Sequence, residues 1–193
     1  PFNTCDSMAV TSFNLVIIDN NFTPNAGTTQ SLCFPAGTNS FSLSGTVYPG
    51  YTVAWTKVSG PAGGIISNPT ATSTSVTGIT NFGTYVYRYS VSHGGCSTFS
   101  DVTVTVNESP VAIIVKTADT ICNGSASSLV GAYTFTGSSS VNVRWRNATN
   151  SIVAIANSYS ATPVNNTFYT FEAYTSTCSS YDTVPISVIK VPI

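Results

Sequence analysis

Gly83-Thr-Tyr-Val-Tyr-Arg-Tyr-Ser-Val91 is the stretch on which the fold turns. Side chains of a strand alternate between two faces, so Tyr85, Tyr87, Tyr89 and Val91 share one face while Val86, Arg88 and Ser90 take the other. A row of three tyrosines and a valine reads as a core face directed at a buried Trp55 rather than as a platform for stacking sugars. Further short alternating segments surround it: Ser40 to Val47, Thr52 to Val58, Thr72 to Val76 and Thr98 to Val106. Tyr48-Pro-Gly50, Ser59-Gly-Pro61 and His93-Gly-Gly95 punctuate them at turn spacing. That cadence predicts an all-β chain of antiparallel β-sandwiches.

Composition agrees. The 193 residues hold 28 Ser and 29 Thr, with 21 Val and 13 Ile against 4 Leu, whereas Glu occurs twice and Gln once. β-Branched residues dominate and strong helix formers are scarce, which excludes helical bundles, coiled coils and doubly wound α/β enzymes. Charged residues make up 7% and the net charge is −1. The Lys/Arg density that a nucleic-acid binder needs is missing. No apolar run approaches the roughly 20 residues of a membrane span. The chain opens at Pro1 with no basic and apolar leader, and it reads as a mature or excised piece of something longer.

An internal repeat organises the text. Cys33 precedes Trp55 by 22 residues and Cys96 by 63; Cys122 precedes Trp145 by 23 and Cys178 by 56. Val53-Ala-Trp-Thr-Lys57 parallels Val143-Arg-Trp-Arg-Asn147, and Thr84 to Tyr89 parallels Phe168 to Ala173. Each unit closes with a cysteine and an alternating run, Cys96 to Val106 and Cys178 to Val188. The run after Cys5 reads the same way. Residues 1–22 are therefore expected to be the closing strand of a preceding repeat plus a linker, followed by immunoglobulin-like domains over 23–108 and 109–193. The partner of Cys5 would then lie outside the chain; a free or intermolecular Cys5, or a terminal strand joining the sheet, are the alternatives.

The spacing predicts two disulfides, each inside one domain: Cys33 with Cys96, and Cys122 with Cys178. Persistent disulfides imply an oxidising compartment, outside the cell or in a periplasm. Cysteine spacing fits no zinc site, and the single His93 completes no Cys/His set. Asp19-Asn-Asn21 offers too few carboxylates for a calcium site and reads as a turn. His93 is also the one imidazole available as a base for a hydroxyl nucleophile, and it falls at a hairpin tip. The acids Asp19, Asp101 and Glu108 fall at strand ends or linkers rather than facing one another as glycosidase carboxylates do. No catalytic residue, metal or cofactor is expected.

Trp55-Thr-Lys-Val-Ser-Gly-Pro-Ala62, Val76-Thr-Gly-Ile-Thr80, Gly83-Thr-Tyr85 and Ser100-Asp-Val-Thr-Val-Thr-Val106 resemble PKD-like repeats of very large secreted proteins of Bacteroidetes-type bacteria. Ile121-Cys-Asn-Gly124, Val143-Arg-Trp145 and Tyr169-Thr-Phe-Glu-Ala173 resemble the Ig-like modules of the same proteins. The WDFGDG-like segment of typical PKD domains is absent, so their calcium loop does not carry over. The resemblance implies an extracellular or cell-surface setting and export by type IX secretion. It also implies O-glycosylation at Asp-Ser/Thr followed by an apolar residue, which makes Ser7, Thr120 and Thr183 candidates. The expected role is a structural repeat of a stalk, filament or adhesin whose partners are neighbouring repeats, with no nucleic-acid binding and no membrane insertion. The alternative is an accessory spacer or glycan-binding module of a secreted polysaccharide-degrading enzyme, with surface polysaccharide as partner and Phe168 and Tyr174 as candidate contacts.

Overall fold

The computed structural model describes residues 23–37, 39–115 and 119–190; the expected closing strand at 1–22, with Cys5 and Ser7, lies outside them. Seven strands make up the first half: β1 (Gln30–Phe34), β2 (Asn39–Ser44), β3 (Thr52–Ser59), β4 (Ile65–Ile66), β5 (Ser73–Ile79), β6 (Gly83–His93) and β7 (Cys96–Glu108). Eight follow: β8 (Val111–Ile114), β9 (Asp119–Cys122), β10 (Ser127–Thr134), β11 (Asn142–Asn147), β12 (Ile152–Ala154), β13 (Ser158–Ala161), β14 (Thr167–Tyr174) and β15 (Ser179–Ile189). The sheets run β1-β7-β6-β3 and β2-β5-β4, then β12-β11-β14-β15-β9 and β13-β10-β8. Two separate cores form, one from residues between Ala26 and Val106 and one from residues between Ala112 and Ile186. The protein is an all-β chain of Ig-like sandwiches.

The tyrosine row behaves as its alternation requires. Tyr85, Tyr87, Tyr89 and Val91 are fully buried, and each ring keeps its hydroxyl satisfied at the core edge. Tyr85 donates to the Asn81 carbonyl at 2.6 Å, Tyr87 to Gly64 at 3.2 Å and Tyr89 to Thr46 at 2.8 Å. Burial raises all three phenols, Tyr87 to about 12.

Both sandwiches repeat one packing device. Trp55 sits opposite Tyr89 across β3 and β6, with ring centroids 4.7 Å apart; Trp145 sits opposite Phe171 across β11 and β14 at 5.1 Å. A glycine caps each aromatic ring from the facing side, Gly45 just beyond β2 and Gly131 within β10. A Cβ at Gly45 would lie 2.6 Å from the Tyr89 ring, and one at Gly131 would lie 2.4 Å from the Phe171 ring. The glycine is needed for close approach, because a fully buried ring has nowhere to retreat in a core packed at crystal density.

One feature departs from the antiparallel expectation. β1 pairs with β7 in parallel and β9 pairs with β15 in parallel, in the same register: Leu32 faces Val106 and Cys33 faces Asn107, while Ile121 faces Val188 and Cys122 faces Ile189. β1 and β9 thus each end at the pole where the last strand leaves the sandwich.

Gly131→Ala is expected to lower unfolding free energy by about 1–3 kcal/mol through overpacking, read from the midpoint of a urea titration. Raised phenols bind protons in the folded state that the unfolded state has already lost, so stability falls as pH climbs from 10 towards the Tyr87 value of about 12. The expected slope is about 1.4 kcal/mol per unit for that one group, and Tyr87→Phe flattens it in melts taken at several alkaline pH values.

Candidate functional site

The parallel register dictates where the sulfurs meet. Cys33 lies beside Asn107 near the end of β7, while Cys96 opens that same 13-residue strand. At roughly 3.4 Å per residue the two cysteines are about 35 Å apart along the strand, whereas a disulfide needs Cα atoms within about 7 Å. Cys122 and Cys178 stand at opposite ends of the second sandwich for the same reason. The expected pairs Cys33–Cys96 and Cys122–Cys178 are therefore not formed. Cys33 is bonded to Cys178 instead, with Cα atoms 5.7 Å apart and a sequence separation of 145, and Cys96 and Cys122 are free thiols.

This bridge crosses from the first sandwich to the second. The chain itself crosses beside it: β7 ends at Glu108 and β8 begins at Val111, leaving Ser109 and Pro110 as the whole connection. Ser109 is buried. Its N–H donates to the Phe34 carbonyl at 2.7 Å and its hydroxyl donates to the Ser179 carbonyl at 3.2 Å, one partner on each side. Glu108, also buried, reaches past the joint and accepts from the Thr136 N–H and hydroxyl, both at 2.8 Å. On the far side Cys178 is held in a tight β14–β15 turn, where Thr175 Oγ1 accepts its N–H at 3.0 Å and the Thr175 N–H donates to its carbonyl at 2.8 Å. An open cleft of about 340 Å³, walled by Phe82, Glu108, Phe135, Gly137 and Thr175 among others, remains along the joint. Its one carboxylate is the Glu108 already occupied by Thr136, so the cleft offers no acid–base pair.

The other predicted residues lie elsewhere. His93 is exposed at the β6–β7 hairpin with its ring 4.6 Å from that of Tyr51. Thr120 and Thr183 are exposed on β9 and β15. The aspartate before each turns inward: Asp119 accepts the Thr120 N–H and the Ser127 hydroxyl, and Asp182 accepts the N–H groups of Thr183 and Ile114. Phe168 is 44% exposed on the outer face of β14. Tyr174 shares that face but is half covered, with the Arg144 guanidinium 4.4 Å from its ring centre. Among the described residues no three His, Cys, Asp or Glu side chains gather where they could hold a metal ion, and no helix is long and apolar enough to cross a membrane.

Sequence reading missed the ion cluster between those aromatics. Glu172 is 2% exposed, and its carboxylate accepts from Arg144 at 2.5 and 2.7 Å and from Arg146 at 2.7 Å. Burial opposes its charge, but the hydrogen bonds from the two guanidinium groups outweigh burial and hold the carboxyl below its ordinary value. Arg144 and Arg146, two apart on β11, carried the signal, since period two places them on one face.

Residues 26–106 match the family model described as K319L-like, PKD domain. Among solved structures the chain is similar to the fibronectin(III)-like modules of CbhA from Clostridium thermocellum, at 17% identity over 87% of this chain and 94% of that one, with a TM-score of 0.40. It is similar to tandem Ig repeats of Dlar, at 14% identity over 87% and 98% of the two chains and a TM-score of 0.36. The PKD domain of human KIAA0319 matches at 24% identity over 44% of this chain and 80% of that one, with a TM-score of 0.38. No match is found among the curated proteins. The similarity to PKD domains thus lies in residues 26–106.

Alkylation of the native, unreduced protein with iodoacetamide is expected to label Cys122 and, more slowly, the half-buried Cys96, while Cys33 and Cys178 stay unlabelled and appear as one linked peptide pair in mass spectra. A labelled Cys33, or a Cys33–Cys96 peptide, would contradict the bridge.

Proposed function

We propose that this chain is a structural segment of a long extracellular bacterial surface protein, a stalk, filament or adhesin, with no catalytic activity of its own. In this reading 23–108 and 109–193 are consecutive repeats and 1–22 is the closing strand of the repeat before them. The observation that carries it is the Cys33–Cys178 bridge across a two-residue connection. A covalent strap between two sandwiches holds their relative orientation, which is what a spacer requires and what a pocket enzyme does not. A disulfide of this kind persists in oxidising surroundings and so supports an extracellular setting. The resemblance to repeats of secreted Bacteroidetes-type proteins supports type IX export. Exposed Thr120 and Thr183, with Ser7, are the hydroxyls this reading offers for O-linked sugar on a surface otherwise poor in charge.

The accessory, glycan-binding reading asks for an open aromatic platform. Of its two candidates Phe168 is open and Tyr174 lies against Arg144, so the structural reading is preferred.

Small-angle scattering of the chain with and without reductant tests the spacer. Oxidised protein is expected to give a narrow distance distribution with a maximum near 70 Å, for two sandwiches of roughly 35 Å each. Reduction, or Cys33→Ser, is expected to broaden it as the joint begins to bend. Identical curves for oxidised, reduced and Cys33→Ser protein would show that the strap fixes nothing.

A further inference from the structure

Cys96 and Cys122 are left as thiols by a pairing rule that the structure displays once. The bonded pair consists of a first-strand cysteine, Cys33, at the exit pole of one sandwich, and a hairpin cysteine, Cys178, at the entry pole of the next. Each free thiol is the repeat equivalent of one member. Cys122 ends β9, an edge strand that like β1 runs parallel to the last strand, and it faces Ile189 just as Cys33 faces Asn107. Both are exposed on an edge strand. Cys96 closes the β6–β7 hairpin just as Cys178 closes the β14–β15 hairpin, and both are followed by a serine in register on the outgoing strand, Ser97 and Ser179. The two thiols stand at the outer poles: Cys96 at the end of the first sandwich away from the joint, and Cys122 where β15 leaves the second.

We infer that Cys96 and Cys122 are the two open halves of the same joint. Cys122 is the site for the hairpin cysteine of a following repeat, and Cys96 is the site for the first-strand cysteine of a preceding one. The partner of each is a thiol on another Ig-like repeat of this kind, the flanking repeat along the chain. This rests on the tandem-repeat reading above. It accounts for every described cysteine with one rule, and it makes the strap a property of every joint rather than of one. In each bond two thiols lose two protons and two electrons; oxidised glutathione accepts them by thiol–disulfide exchange and leaves as two glutathione thiols.

The 193-residue chain carries both halves, so a second copy supplies the partner thiol. In a Cys5→Ser background, Cys96→Ser and Cys122→Ser proteins are mixed with oxidised and reduced glutathione at about 1 mM protein, the effective concentration a short linker provides. The mixture is expected to give a disulfide-linked dimer whose inter-chain peptide joins Cys122 of one copy to Cys96 of the other, and that dimer is lost from either variant alone. The doubly substituted protein gives none and keeps the Cys33–Cys178 peptide, which shows that the fold is intact. Equal dimerisation of the variants alone, Cys96–Cys96 or Cys122–Cys122 peptides in statistical proportion, or thiols that end capped by glutathione would overturn the inference. Those outcomes leave the spacer reading standing, since it is judged by scattering across the Cys33–Cys178 joint.

Discussion

The parallel seating of a first strand against a last strand decides where this protein is strong. Because β1 runs with β7, the cysteine on β1 travels to the pole where the chain leaves the sandwich. An antiparallel β1 would have carried Cys33 towards Cys96 and produced an intradomain clasp. With the observed direction the sulfur meets the incoming hairpin of the second sandwich instead. A bridge closing a 145-residue loop contributes about 5 kcal/mol in the chain-entropy model, but its placement matters more than its size: it lies between two cores rather than within one.

Each core can forgo an internal disulfide because its centre is packed by large rings rather than stapled. Trp55 with Tyr89 and Trp145 with Phe171 fill the middle of each sandwich, and Gly45 and Gly131 let the facing sheet close onto them. Burial of rings of this size is a dominant source of core energy. The second sandwich adds a buried ion cluster on its outer face, where Glu172 is shared by Arg144 and Arg146. Removing one partner of such a cluster is costly because it strands a buried charge.

The fold was legible in the sequence because period-two alternation and turn punctuation are local signals. The tyrosine row, the Trp–aromatic pairing and the repeat all follow from residues within a few positions of one another or from similarity at a fixed offset. Cysteine pairing is not of this kind. Equal spacings identify which cysteines are equivalent, but an intradomain clasp and an interdomain strap produce the same spacings. What separates them is strand direction, and direction is fixed by long-range pairing of β1 with β7 across 70 residues or more. The role of the two glutamates was not legible either. In a chain with seven acids and only two Glu, both turn out buried, Glu108 at the joint and Glu172 on β14. The sequence placed Glu108 at a strand end or linker, but its partner Thr136 became visible only with the second sandwich in place.

Two covalent ties, the Ser109–Pro110 backbone and the Cys33–Cys178 bridge, and two hydrogen-bonded ones, Glu108 on Thr136 and Ser109 on Ser179, cross the joint. A connection through Ser109 and Pro110 alone would leave the sandwiches free to bend and swivel, though Pro110 fixes its own φ. The Cys33–Cys178 bridge adds a second fixed point, which reduces the freedom to rotation about the line through both. Glu108 on Thr136 supplies a third point, and three points off one line leave no rigid-body rotation. At the two non-covalent contacts Glu108 and Ser109 are buried while their partners Thr136 and Ser179 are exposed, so water is only partly kept from them, and the strap holds them at hydrogen-bond distance. Tension applied along the chain is then shared between the β7–β8 backbone and the sulfur bridge.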